Sequence, residues 1–226
     1  MVGILGGMGP EATVSLFNRI VEKTPALRDQ DHIKIIIYNN PTIPDRTQSI
    51  LHDGKSPLPM LKQGARFLER SGADFIAIPC NSAHYYLDKI RGSVNIPVMD
   101  MINETALIIR ENKVGLLATD GTVQIGLYHK ACINRGIEII TPSMDEQKRV
   151  MQVIYDVKAG KDKLPLKREI AELLGNLQKR GAEALVLGCT ELSLVLTQSE
   201  DGLPVYDALD ILAQTIVKEA LSERNI

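Results

Sequence analysis

Gly72-Ala-Asp-Phe-Ile-Ala-Ile-Pro-Cys80-Asn81-Ser82 returns 109 residues later as Gly181-Ala-Glu-Ala-Leu-Val-Leu-Gly-Cys189-Thr190-Glu191. In each copy a hydrophobic run ends in a cysteine followed by polar side chains. Two flanking segments repeat in the same order. Val2-Gly-Ile-Leu-Gly6-Gly7 matches Val114-Gly-Leu-Leu-Ala118-Thr119, and Ile96-Pro-Val-Met-Asp100 matches Leu203-Pro-Val-Tyr-Asp207, with offsets of 107 to 112 residues. The ordered set reads as a duplicated α/β unit. A chain that duplicates its body and sets a thiol at the same point of each copy can present two sulfurs to one cleft.

Short apolar runs alternate with amphipathic stretches. Strands are predicted over 2–5, 33–38, 75–78 and 98–99, with helices over 11–22, 58–71 and 83–91. The second half predicts strands over 114–118, 138–140, 184–187 and 205–206, with helices near 127–135, 146–157, 167–180 and 191–196. Near-continuous hydrophobic strands between helices imply parallel sheets covered on both faces. The expected fold class is therefore α/β, with two similar parallel-sheet domains. Residues 207–224 read as an amphipathic helix that packs back on the first unit. The expected division is 1–100 plus 207–226, carrying Cys80, and 101–206, carrying Cys189.

With 226 residues, 44% apolar and 24% charged, the chain has ordinary globular composition. Its formal net charge of -2 and the lack of a basic stripe speak against nucleic acid as a partner. No apolar run approaches the roughly 18 residues of a membrane span. The opening Met1-Val-Gly-Ile-Leu reads as a buried strand with no basic leader, so a cytoplasmic protein is expected. Cys80, Cys132 and Cys189 form no C-x-x-C pair and are expected as free thiols.

In an open parallel sheet, ligands bind outside the carboxyl ends of the strands, where Cys80 and Cys189 are predicted to stand. Asn81 or Ser82, and Thr190, are placed to cap the helices that follow. A helix N-terminus lowers a thiol's pKa and receives a carboxylate. A single buried cysteine is more often a small hydrophobe. Two at matching strand ends favour chemistry, whereas Cys132 lies on a helix without that context and reads as structural.

Gly3-x-x-Gly6-Gly7-Met8-Gly9-Pro10 lacks the spacing of a dinucleotide fingerprint. Its glycines fit a backbone lying close to a small substrate, with Thr119 and Thr122 in the matching place of the second unit. The polar loop 39–47 has the length of a segment that lines a site, which raises Arg46 above an ordinary solvated pair with Asp45. His84 reads as a helix-face residue. The histidines do not cluster and no metal is expected.

At Gly6-Gly-Met-Gly-Pro10, Asn40-Pro41, Ile43-Pro-Asp-Arg-Thr47, Pro79-Cys-Asn-Ser-Ala-His84 and Gly188-Cys-Thr-Glu191 the chain resembles the aspartate/glutamate racemase superfamily, and its aspartate racemase branch most. The resemblance spans nearly the whole length. It implies two α/β domains related by a pseudo-dyad, a site between them, no cofactor or metal, a small acidic amino acid as substrate, and a homodimer. It implies Cys80 and Cys189 as the two acid/base residues. Asn81, Ser82 and Thr190 would hold the α-carboxylate, and Arg46 and Lys158 the side-chain carboxylate. Met8, Asn40, Thr119 and Glu191 complete the expected substrate-binding set. Glutamate racemases of the superfamily open with Asp-Ser-Gly and carry histidine two residues after the second cysteine. Here those positions read Gly-Gly-Met-Gly and Glu191, which weakens a glutamate assignment and leaves aspartate as the expected substrate, with glutamate as a further one. Ser82 stands where threonine is usual and keeps the hydroxyl.

The reading predicts that one cysteine, as thiolate, removes the α-proton while the other protonates the opposite face. Other reactions remain open at this point: a related isomerisation such as maleate cis–trans conversion, racemisation of a different amino acid, a non-catalytic amino-acid sensor, or a thiol-redox protein.

Overall fold

A computed structural model describes residues 1–196 and 202–222. In chain order the first part runs β1 (Val2–Gly6), α1 (Pro10–Lys23), β2 (Ile35–Asn39), α2 (Arg46–Leu51), α3 (Leu58–Arg70), β3 (Phe75–Ala77), α4 (Leu87–Arg91) and α5 (Met101–Ile108). It continues with β4 (Lys113–Ala118), α6 (Asp120–Gln124), α7 (Leu127–Ile133), β5 (Glu138–Ile140), α8 (Met144–Lys158) and α9 (Lys163–Lys179). β6 (Ala184–Gly188), β7 (Val205–Asp207) and α10 (Ala208–Ser222) close the described chain.

The strands form two parallel sheets, ordered β2-β1-β3 and β5-β4-β6-β7. A parallel bridge from Val98 to Ile76 occupies the place in the first sheet that β7 occupies in the second. The predicted strand over 98–99 is thus a single bridge. With it, both sheets follow the same order, so the duplication read from sequence is a duplication of topology.

Apolar side chains cover each sheet on both faces, as their unbroken hydrophobic strands require. β1 and β3 bury Val2, Ile4, Phe75 and Ala77 against α1 and α10, and bury Leu5 and Ile76 against α3. In the second sheet Leu117, Leu185 and Leu187 meet α8 and α9, while Val114, Leu116 and Val186 meet α5 and α7. α10, the expected return helix, packs on α1 and also on α5. The last residues of its predicted span, 223–224, lie outside the described residues.

Several elements differ from their predicted form. α9 starts at Lys163, four residues before the expected start: Asp162 accepts from Leu164 N–H at 3.1 Å, and Pro165 is tolerated in a first turn where no intrahelical donor is needed. A capping box between Ser143 and Glu146 moves the start of α8 to Met144. α5 was not read as a helix. It is short, and its start rests on Asp100, which accepts from Asn103 N–H at 3.0 Å. The polar loop 39–47 ends in α2, capped by Asp45.

The segments after both cysteines are narrower than predicted. Asn81–Tyr86 and Leu192–Leu194 are 3-10 turns, and the first passes directly into α4. Neither Asn81, Ser82 nor Thr190 caps a helix. The residues from Asn81 to His84 are all buried, so no one-sided apolar stripe sustains a wider helix there.

Leu212, wholly buried on α10 against the first sheet, should be costly to truncate. Leu212→Ala is expected to lower unfolding free energy by about 2–5 kcal/mol in urea titration; a loss under about 1 kcal/mol would show that α10 is not integral to that core.

Candidate active site

The carboxyl ends of β3 and β6 point into one narrow cavity. Cys80 and Cys189 both line it, each 4% exposed. Met8, Arg46, Asn81, Ser82, Thr119, Lys158, Thr190 and Glu191 share the wall, joined by Asp45, Thr47 and Gly188. Of the residues expected from sequence, Asn40 and Thr122 are not among those lining the cavity. Thr122 is wholly buried behind Thr119, with its N–H donating to the Thr119 hydroxyl oxygen at 3.3 Å, and Asn40 is turned to its own loop. Its Oδ1 accepts instead from Thr42 N–H at 3.0 Å and from the Thr42 hydroxyl at 2.7 Å, shaping the loop.

Each cysteine opens its turn in the same way. Ala83 N–H donates to Cys80 O at 3.2 Å, and Leu192 N–H donates to Cys189 O at 3.1 Å. A 3-10 turn leaves the N–H groups before that first bond without an intra-turn acceptor. Those of Asn81 and Ser82, and of Thr190 and Glu191, are therefore left free of intra-turn bonds beside the two cysteines.

The residue four places after each cysteine ties its turn to the helix that follows the next strand position. Met101 N–H, at the start of α5, donates to His84 Nε2 at 3.1 Å, which leaves Nδ1 as the protonated nitrogen; it donates to Cys80 O at 2.9 Å. In the second copy Ser193 Oγ donates to Asp207 Oδ1 at 2.6 Å, and the same oxygen accepts from Leu209 N–H at the start of α10. Arg19 of α1 closes this tie, donating to Asp207 Oδ2 at 2.6 Å and to Ser193 O at 3.1 Å. His84 is thus a buried clamp on the Cys80 backbone.

The two sulfurs sit in different electrostatic surroundings. Cys189 Sγ donates to Glu191 Oε2 at 3.0 Å, and the Thr190 hydroxyl donates to the same oxygen at 3.4 Å. Burial, then the Glu191 carboxylate, push the Cys189 thiol well above its ordinary value, with Lys158 pulling the other way. Cys80 lies 3.8 Å from Ser82 Oγ. It also faces Arg46, which is 7% exposed and donates to the carbonyls of Met8, Ile43 and Pro44. Burial, the largest influence, pulls the Arg46 pKa down, but Cys80, Asp45 and Glu191 outweigh it and raise the value overall. Arg46 Nε is buried with no hydrogen-bond partner among the described residues. Lys158, at the end of α8, has its ammonium 5.9 Å from the Tyr155 ring centroid and faces Glu191 and Cys189 from the mouth.

An outer chamber of about 1000 Å³ shares Met8, Asp45, Arg46, Lys158 and Glu191 with the inner cavity. Gly7 forms its inner edge, with φ +98 and a backbone so close to Asn40 that a Cβ would lie 2.3 Å from the Asn40 carbonyl carbon. Only glycine satisfies both demands. The close approach seen at Gly7 is to the backbone of the neighbouring loop at Asn40.

Sequence reasoning missed three contributors. Thr47 and Asp45 flank Arg46 on the wall, and the position of Arg46 was the signal for them. Tyr128 on α7 is wholly buried and donates to Asn81 Oδ1 at 2.7 Å; nothing in its local sequence distinguishes it from a core tyrosine. Cys132 is buried in the core beside it, as expected for a structural cysteine. Among the described residues no helix is long and apolar enough to cross a membrane.

The family model described as Asp/Glu/Hydantoin racemase matches residues 5–216. Aspartate racemase of Picrophilus torridus is 32% identical, with a TM-score of 0.88 over 97% of this chain and 93% of that one. An aspartate racemase homologue from Pyrococcus horikoshii OT3 is 27% identical, with a TM-score of 0.78 over 97% of this chain and 98% of its own. The broad specificity amino-acid racemase RacX of Bacillus subtilis is 29% identical over 98% of this chain and 99% of that protein.

Two measurements check the electrostatics. Burial lowers the His84 pKa from 6.5, and protonating Nε2 would break its bond from Met101 N–H. The unfolded state then binds the extra proton first, so stability should be full above pH 6.5 and be lost as pH falls from there through the folded value. His129 is lowered in the same sense. His84→Gln should therefore flatten, without abolishing, the decline in urea midpoint between about pH 7 and 5; an unchanged slope would refute the assignment. Glu191→Gln removes a charge that opposes the Cys189 thiolate. Alkylation of Cys189, followed by peptide mass spectrometry across pH, should have its midpoint at lower pH in the variant. A midpoint that stays or rises would contradict the role given to Glu191.

Proposed function

The chain belongs to the Asp/Glu/Hydantoin racemase family and is on that ground an isomerase, and we propose that it interconverts L- and D-aspartate without a cofactor, by proton transfer between Cα and the two cysteines. The observation that carries this reading is that Cys80 and Cys189, from matching strand ends of two sheets, line a single cavity with cations at its wall. We take each sheet with its helices as one domain, divided as 1–100 plus 207–226 and 101–206, so that the reaction occurs between domains. The homodimer implied by the resemblance is part of the same proposal. Val14, Phe17 and Val21, exposed at helical spacing along α1, offer it an apolar face.

An α-proton is far less acidic than a thiol of pKa about 8.5, so a thiolate alone cannot hold a carbanion. Catalysis then depends on donors already aimed at the carboxylate into which the negative charge spreads. The backbone N–H groups of Asn81 and Ser82 and of Thr190 and Glu191, with the Asn81 amide and the Thr119 hydroxyl, are the donors offered, and the Thr190 hydroxyl can join them by turning from Glu191. Arg46 presents Nε and suits a side-chain carboxylate by its planar fork, with Lys158 as a point charge nearby. Asp45 and Glu191, engaged through Oδ1 and Oε2 respectively, each keep a second carboxylate oxygen and are the carboxylates on the wall that can meet the substrate ammonium.

In the resting site Cys189 is a thiol that donates to Glu191, and Cys80 faces a fixed cation. Removing the proton from one enantiomer therefore starts at Cys80, with Cys189 delivering a proton to the other face. For the opposite enantiomer the roles reverse: Cys189 must first give up its proton, with Glu191 as the carboxylate beside it able to accept it, and Cys80 must carry a proton to deliver to the other face.

A second reading is broad specificity. The outer chamber, with Pro10, Ala12, Pro41, Ile43 and Leu194 on its wall, opens from the inner cavity and offers room for side chains longer and less polar than aspartate. The similarity to RacX supports the same reading.

Racemisation of a panel of L- and D-amino acids in D2O, followed by α-deuterium incorporation, tests both. Aspartate should exchange and invert, and Cys80→Ala and Cys189→Ala should each lower kcat/KM for inversion by about 10²–10⁴-fold. Inversion at the parent rate in either variant would overturn the two-base mechanism. Binding without exchange would mark an amino-acid sensor, and faster turnover of neutral long-chain substrates than of aspartate would select the second reading.

A further inference from the structure

We propose that Tyr128 is a positioning residue for substrate recognition: it holds the Asn81 carboxamide with its NH2 group toward the cavity, so that the amide donates to an entering carboxylate. The inference rests on the racemase reading and adds to it a residue outside the cavity wall.

The Tyr128 hydroxyl donates to Asn81 Oδ1 at 2.7 Å. Asn81 is 3% exposed, lines the cavity, and has Nδ2 buried with no hydrogen-bond partner among the described residues. A buried amide nitrogen left unpaired costs about 1–3 kcal/mol, which an acceptor entering the cavity would recover. The two ends of a carboxamide have nearly the same shape but opposite polarity. An asparagine free to turn would offer its oxygen to a carboxylate, and like partial charges would repel. Donation from Tyr128 to Oδ1 favours the orientation with the NH2 group free for the cavity. Burial raises the tyrosine pKa far above neutrality, so the hydroxyl stays a donor.

The ring is held as firmly as its hydroxyl. Tyr128 is wholly buried with Ile102, Ala106, Leu116 and Ala118. A Cβ on Gly188 would lie 2.9 Å from its Cε2, so the backbone just before Cys189 needs glycine to lie against the ring. One side chain thus touches the residue before one cysteine and bonds the residue after the other. The polarity of the Asn81 amide is set only when the two sheets are docked in register.

Tyr128→Phe keeps the ring and removes the bond. With aspartate the variant should lose about 10–100-fold in kcat/KM, with KM raised at least about threefold. A mere packing defect would reduce the active fraction and lower kcat at unchanged KM. In an Asn81→Ala background the same substitution should cost less than about twofold, since its target is gone. A parent-like KM in Tyr128→Phe, or full additivity with Asn81→Ala, would overturn the inference. Should the Phe variant not fold, Asn81→Asp decides: it keeps an oxygen for Tyr128 but replaces the donor, and aspartate binding by calorimetry should fall at least about tenfold. Unchanged binding would refute the proposal. A parent that binds aspartate without racemising it would overturn the function alone, and a parent that binds no amino acid would overturn both.

Discussion

Two thiols can serve one small cavity only if two strand ends, from two separate sheets, are held at a fixed separation. Nothing in a parallel sheet does this by itself, because hydrogen bonds between strands fix the sheet and not the turn that leaves it. Here each cysteine turn is tied four residues on to the start of the helix after the next strand position, through His84 to α5 and through Ser193 and Asp207 to α10. α5 and α10 pack on one another. A continuous path of buried hydrogen bonds and helix packing therefore runs from one sulfur loop to the other. Buried polar groups of this kind are costly unless satisfied, so the ties hold their geometry or fail together.

The matched framework carries unmatched chemistry. The first tie uses a neutral imidazole and the second a carboxylate joined to Arg19, yet both leave the backbone of the turn in the same form. The side chains facing the sulfurs diverge more. Arg46 faces Cys80 from the start of the short α2, while the element at the matching place in chain order, the longer α8, brings Lys158 toward Cys189 from its end, and Glu191 reaches Cys189 from its own turn. A duplicated fold supplies equal positions; the loops supply unequal electrostatics.

Much of this was legible in the sequence, and the limits have physical reasons. The strands were readable because burial on both faces leaves a continuous apolar run, and β1, β4 and β6 are buried along nearly their whole length. The two cysteines were readable because the repeat places them together. The turns after them were not, since a 3-10 turn has no apolar period, and the capping roles expected of Asn81, Ser82 and Thr190 depended on helices that do not form. Asn40 was expected on the wall because its loop lies at the ligand end of the sheet, but a short polar side chain can as well bond its own loop, as it does to Thr42. Tyr128 was invisible because its role comes from what it touches across the interface, and no local pattern records that.

The reaction proposed for the site places a thermodynamic restriction on that asymmetry. Enantiomers have equal free energy in water, so the ratio of kcat/KM in the two directions equals one for the parent and for any variant. Holding Cys189 as a thiol and setting Arg46 beside Cys80 therefore cannot favour one product at equilibrium. What the asymmetry can change is how each direction divides between binding and turnover: one direction uses Cys189 as the thiol that donates to Glu191, and the other requires Cys189 to have given up that proton and Cys80 to carry one. Unequal kcat values matched by equally unequal KM values are the form in which an asymmetric site appears in a symmetric reaction. The asymmetry of Arg46 and Glu191 thus bears on rate and saturation, while the pseudo-symmetric sheets keep both faces of the carbon within reach.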